Sequence, residues 1–156
     1  MRFRRRSARH WVRAIEVRLF LDANILFSAA YRDDSPALLL FELAIAGRCQ
    51  LVTSEFAWDE AYRNIRLKQP RRMHELDSLR GRLESVPAPS PAATADAAKH
   101  GLPNKDAPIL AAAKVATVDI LVTGDRTHFG HLYGRNIGGL RVLSLRDTLE
   151  RLLEGA

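Results

Sequence analysis

Four acidic residues stand at the edges of apolar segments: Asp22 in VRLFLDANILFSA, Glu60 in TSEFAWDEAYRNI, Asp106 in NKDAPILAAA and Asp125 in ILVTGDRTHFG. Clustered carboxylates repel one another at neutral pH, and the usual remedy is a divalent cation with oxygen ligands. Oxygen-only ligands select hard ions, so Mg²⁺ or Mn²⁺ is expected ahead of zinc or copper. An ion held in this way lowers the pKa of a bound water and stabilises charge on phosphate oxygens, which makes phosphodiester hydrolysis the expected chemistry. Each acid also has a plain structural use. Asp22 can cap the helix that follows, Asp125 can serve the turn after Gly124, Asp106 suits a helix's first turn, and Glu60 can lie on a solvated helix face. It is the four taken together that point to a site.

The elements that must position these acids are legible as alternating strands and helices. Leu19-Phe20-Leu21 and Ile120-Leu121-Val122 are short apolar runs typical of buried parallel strands, and each leads into an acid. In open α/β sheets, ligands bind at the carboxyl ends of the strands, where Asp22 and Asp125 would converge. Strands are expected at residues 17–21, 50–53, 120–123 and 141–145. Helices are expected over 25–31, over 37–46 with Ser35-Pro36 at its start, from Ser54 to about Leu67, from Arg71 to about Glu84, from Asp106 with Asn104 as cap, and over 145–153. Prolines 87, 89 and 91 leave room for one helical turn at most between residues 85 and 105. The fold class is therefore α/β, a three-layer α/β/α sandwich with a parallel sheet. Glu60, about 9 Å along its helix from Ser54, would lean over the rim where the aspartates gather.

These motifs resemble the PIN-domain family of metal-dependent ribonucleases, especially the toxins of bacterial toxin–antitoxin pairs. The resemblance covers roughly residues 17–154 and rests on four matches. They are the strand running into Asp22 with Asn24 and Ser28 behind it; Thr53-Ser54 followed by Glu60 and Arg63-Asn64-Ile65; Asp106 opening the Ala-rich helix; and the strand ending Thr123-Gly124-Asp125. It implies a PIN-like fold and an Mg²⁺- or Mn²⁺-dependent endoribonuclease. Asp22, Asp106 and Asp125 would be direct or water-mediated metal ligands, with Glu60 either a fourth ligand or the group that orients the attacking water. Asn24, Ser28, Thr123 and Arg126 would support the ligands or contact phosphate. The resemblance further implies an antitoxin that masks the acidic site and a homodimer built partly from the helix at 35–46. Asp59 adjoins Glu60, so two acids compete for the helical position; Glu60 is the one that matches the family.

Charge adds a polyanion partner. Residues 1–18 hold seven arginines against Glu16, while the other 138 residues balance at 17 basic and 17 acidic. Residues 1–16 are accordingly expected to form a basic arm ahead of a nuclease domain at 17–156. A second basic block runs from Arg63 to Arg82, and Arg63, Arg66, Lys68, Arg71 and Arg72 are the expected RNA contacts. The lone Cys49 cannot form an internal disulfide, and no apolar run approaches the ~18 residues of a membrane span, so a reducing cytoplasm is expected. His10, His74, His100, His128 and His131 follow no metal or triad spacing, and His128 and His131 are expected on the surface. No phosphate-binding GxxxxGK[ST] loop and no GxGxxG occurs, which disfavours nucleotide-driven and dinucleotide chemistry. The competing function is a catalytically silent RNA- or protein-binding module on the same fold, against which the four intact acids argue.

Overall fold

A computed structural model describes residues 16–155, so the expected basic arm lies almost wholly outside the described residues. Six strands form one sheet in the order β3-β2-β1-β4-β6-β5. They are β1 (Val17–Leu21), β2 (Cys49–Ser54), β3 (Glu84–Val86), β4 (Ile120–Val122), β5 (Asn136–Ile137) and β6 (Leu140–Leu143). All pairings are parallel except the antiparallel pairing of β5 with β6. Leu19, Phe20 and Leu21 are consecutive and all fully buried. Successive side chains of a strand point to opposite faces, so both faces of the sheet must be covered, as in a three-layer α/β sandwich.

The covering helices are α1 (Ala23–Tyr31), α2 (Leu38–Ile45), α3 (Glu55–Lys68), α4 (Met73–Arg80), α5 (Pro91–Ala98), α6 (Ala107–Val115), α7 (Arg126–Phe129) and α8 (Leu145–Glu154). Helix α1 packs on α3 and α4, α5 on α6, and α8 on β4 and β6. Strand order decides where a site can form. From β1 the chain builds outward through β2 to β3, then returns to place β4 on the other side of β1. That reversal between β1 and β4 is a topological switch point, the crevice where such sheets bind ligands. No helix among the described residues is long and apolar enough to cross a membrane.

Several expected elements differ. The helix expected from Arg71 to Glu84 is a 3₁₀ turn at Pro70–Arg72 followed by α4, which stops at Arg80, and Glu84 lies in edge strand β3. Residues 84 and 85 are exposed, so this strand carries no alternating apolar pattern. The stretch with three prolines holds the two-turn helix α5, because Pro91 occupies its first turn, where a missing N–H costs nothing, and Ser90 Oγ accepts the Ala93 N–H as cap. Asn104 does not cap α6; Asp106 itself holds the cap position after a turn in which its N–H donates to the Pro103 carbonyl. Helix α3 begins as expected from Ser54, and α8 is capped by Ser144, each serine accepting an N–H three residues on.

Candidate metal centre

The register places Leu21 opposite Val122, and the Asp22 N–H continues the ladder to the Val122 carbonyl at 3.1 Å. Asp22 and Thr123 therefore leave neighbouring strands at the same edge. Asp22 is 5% exposed and tightly held. Its Oδ1 accepts the Ala23 N–H at 2.7 Å, and its Oδ2 accepts the Thr123 hydroxyl at 2.8 Å and the Asn24 amide at 3.2 Å. Burial pushes the Asp22 carboxyl up to about 6; the Thr123 hydroxyl and Ala23 N–H oppose this, and the charges of Glu60 and Asp106 add to it. The carboxylate is thus ordered yet electrostatically unsatisfied.

Asn24 ties the two strand ends together. Its Oδ1 accepts the Gly124 N–H at 2.7 Å while its Nδ2 reaches Asp22 and Thr123. A Cβ on Gly124 would stand 3.3 Å from Asn24 Oδ1, so the glycine of the TGD segment provides close approach. Thr123 Oγ1 also accepts the Asp125 N–H at 3.2 Å, and the Tyr133 hydroxyl donates to the Thr123 carbonyl at 2.8 Å. The turn carrying Asp125 is therefore fixed from several sides.

Asp106, Asp125 and His128 gather next to this frame, their potential ligand atoms all within 4.8 Å of one another. His128 Nδ1 lies 2.9 Å from Asp125 Oδ2 and 3.0 Å from Asp106 Oδ2, and the His128 N–H donates to Asp125 Oδ1 at 3.0 Å. The contact to Asp106 is charge proximity without hydrogen-bond geometry. Asp106 Oδ2 is fully buried and accepts no hydrogen bond. Burial raises the Asp106 pKa, with His128 opposing and Asp125 adding to the rise. A buried carboxylate oxygen without a donor, beside a second carboxylate, fits a cation as its missing partner.

The expected site residues fall into distinct places. Asp22, Asn24 and Thr123 are hydrogen-bonded together at the switch point, Asp106 and Asp125 group with His128 rather than with Asp22, and Glu60 on α3, half-buried and without a hydrogen bond among the described residues, is near enough for its charge to act on Asp22. Asp59 is exposed. Arg126 is exposed at the rim, whereas Ser28 turns to Ser35, 3.1 Å away. His128, expected on the surface, instead bridges two of the acids. The Asp125-x-x-His128 spacing at a helix start was the available signal, since residues three apart share a helix face. Arg63, Arg66, Lys68 and Arg71 are exposed, as RNA contacts require. Arg72 is otherwise engaged: its Nε donates to the Ala30 carbonyl at the end of α1 and its Nη2 pairs with Asp33, both at 2.7 Å. It clamps the end of α1.

Comparison with known proteins places this geometry. A family model described as the PIN domain matches residues 18–127. Among solved structures, VapBC2 of Rickettsia felis, bound to a DNA fragment from its promoter, is similar at 21% identity and a TM-score of 0.60, covering 82% of this chain and 98% of that one. A toxin-antitoxin complex from Klebsiella pneumoniae is similar at 20% identity and a TM-score of 0.56, covering 78% and 94%. VapC20 of Mycobacterium tuberculosis, a toxin that cleaves the sarcin-ricin loop, is similar at 13% identity and a TM-score of 0.50, covering 70% and 91%. Among curated protein sequences, none matches.

Proposed function

The chain belongs to the PIN domain family, and from that premise we propose that it is a divalent-metal-dependent endoribonuclease acting at Asp22, Asp106, Asp125 and Glu60. The observation that carries this reading is the buried Asp106 Oδ2, which no donor satisfies, set beside Asp125 at the strand edge where Asp22 also ends. Asp22, Asp106 and Asp125 would hold Mg²⁺ or Mn²⁺. The ion supplies an acidified water and charge stabilisation on the phosphate.

The chain's own residues do the positioning. Thr123, Asn24 and the Ala23 N–H fix both oxygens of Asp22, and the His128 N–H orients Asp125. Glu60 is partly exposed and has no hydrogen-bond partner among the described residues, which suits its carboxylate to orient a water and accept its proton. Arg126, exposed at the rim, is suited to the substrate phosphate.

The fold shared with VapBC2 and with a toxin-antitoxin complex supports a role as the toxin of such a pair. Its partners would then be RNA as substrate, an antitoxin that covers the acids with a basic side chain, and a second copy of the chain. A cytoplasmic location belongs to the same reading. Cleavage of a labelled single-stranded RNA that requires Mg²⁺ or Mn²⁺ and stops with a chelator is the expected result. Cleavage that persists in excess chelator would refute the metal-dependent reading.

A further inference from the structure

Helix α1 starts at the carboxylates and carries a stripe away from them. Ala23, Ile25, Leu26, Ala29 and Ala30 are buried, whereas Asn24, Phe27 and Tyr31 keep exposed surface at the i, i+3 and i+7 spacing of one helix face. Asn24 is bonded into the metal centre. The Phe27 and Tyr31 rings pair beyond it, their centroids 5.3 Å apart and their planes at 32°. Tyr31 lies about 10 Å along the axis from Asn24, the length of roughly three nucleotides at a ~3.4 Å stacked rise.

Helix α3 runs beside this stripe with a face of its own. Glu60 acts on Asp22 at one end, and at the other Lys68 sets its Nζ 5.6 Å from the centre of the Phe27 ring. Arg63 and Arg66 on α3 and Arg71 just beyond its end are exposed. The Arg72 clamp on Ala30 and Asp33 holds the end of α1, so the aromatic pair sits on a fixed support. The two helices thus carry acids at one end and aromatic rings with a cation at the other.

We propose that Phe27, Tyr31 and Lys68 form a base-stacking platform for the single-stranded RNA that flanks the phosphate at the carboxylate site, an inference that rests on the ribonuclease reading. Aromatic faces stack on any base, and the cation beside them meets the strand's phosphates. The local excess of basic residues and the continuity with the carboxylates favour RNA over a protein segment on this face. A duplex, whose bases are already stacked, would gain nothing from the platform.

The test uses the full chain in chelator and a short 2′-O-methyl oligoribonucleotide carrying a fluorescent base, which binds without being cleaved. Tyr31→Ala is expected to weaken binding about tenfold and Tyr31→Phe to stay near wild type. Lys68→Ala should weaken binding and make the salt dependence shallower by about 0.7 in log–log slope. A duplex of the same length should bind Tyr31→Ala and wild type alike. In cleavage, Tyr31→Ala should raise KM with little change in kcat. Wild-type affinity for the oligonucleotide in both Tyr31→Ala and Lys68→Ala would overturn the platform and leave the face to a protein partner. If wild type cleaves no RNA yet binds the oligonucleotide in a Tyr31-dependent way, the platform stands and the ribonuclease reading fails.

Discussion

The Thr123 hydroxyl donates to Asp22 Oδ2 at 2.8 Å, joining residues 101 positions apart in the chain and one strand apart in the sheet. This bond holds the most buried acid of the site in one orientation while its neighbours push its pKa up. Burial is the larger effect, since the carboxyl rises from 3.8 to about 6 despite the hydrogen bonds.

A stability prediction follows from the sign of that shift. The folded protein holds a proton on Asp22 more readily than the unfolded chain, so this group's stabilisation is full below pH about 4 and is lost as pH rises through about 6. Asp22→Asn should therefore stabilise the metal-free protein at pH 7.5 by about 1–3 kcal/mol, a few degrees in Tm. The difference should shrink towards pH 5. Thermal melts of both proteins in chelator at the two pH values check this; equal melting temperatures at pH 7.5 would contradict it.

His128 sits between two carboxylates that would otherwise repel. His128→Ala should lower the Tm of the metal-free protein, and saturating Mn²⁺ should recover most of the loss because the ion can bind between the two carboxylates. A melt unchanged in chelator would show that the bridge contributes nothing.

Gly124 is needed for its missing side chain. The Cβ of Gly124→Ala would press on Asn24 Oδ1 at 3.3 Å, and the amide that also holds Asp22 and Thr123 would have to shift. Cleavage should fall about 10-fold or more, as displacement of an aligned group costs on this scale, while the circular dichroism spectrum stays native. Full activity would mean that Asn24 does not align the site.

Adjacent helix residues diverge by about 100°, so Asp59 and Glu60 cannot serve the same point. Only Glu60 is close enough to act on the Asp22 carboxyl, and Asp59 is exposed. Glu60→Gln should lose most of the cleavage rate and Asp59→Asn little. The reverse pattern in steady-state rates would move the helical acid by one position.

Much of the fold was legible in the sequence because its central elements are fully buried. Leu19 to Leu21 and Ile120 to Val122 read as strands through unbroken apolar character, and Ser54 announced the helix it caps. The edges were less visible. Strand β3 exposes Glu84 and Ser85, so it shows no apolar pattern, and Pro91 reads as a breaker until its place in the first turn of α5 is known. Asp22, Asp106 and Asp125 could be picked out because each ends or opens an apolar element, whereas Glu60, inside α3, was marked by the family resemblance. The pairing of His128 with Asp125 left a spacing signal, but its contact with Asp106 and the Arg72 clamp on Ala30 and Asp33 arise only through tertiary packing.

The central claim is that a metal ion completes the buried Asp106 carboxylate and that RNA cleavage depends on it. The most direct measurement is the initial rate of single-stranded RNA cleavage by wild type and Asp106→Asn in the same Mn²⁺ concentration, with folding verified by circular dichroism. A folded Asp106→Asn variant with its rate reduced about 100-fold or more, matching wild type in chelator, is the predicted result. A folded variant that cleaves at the wild-type rate would contradict the account.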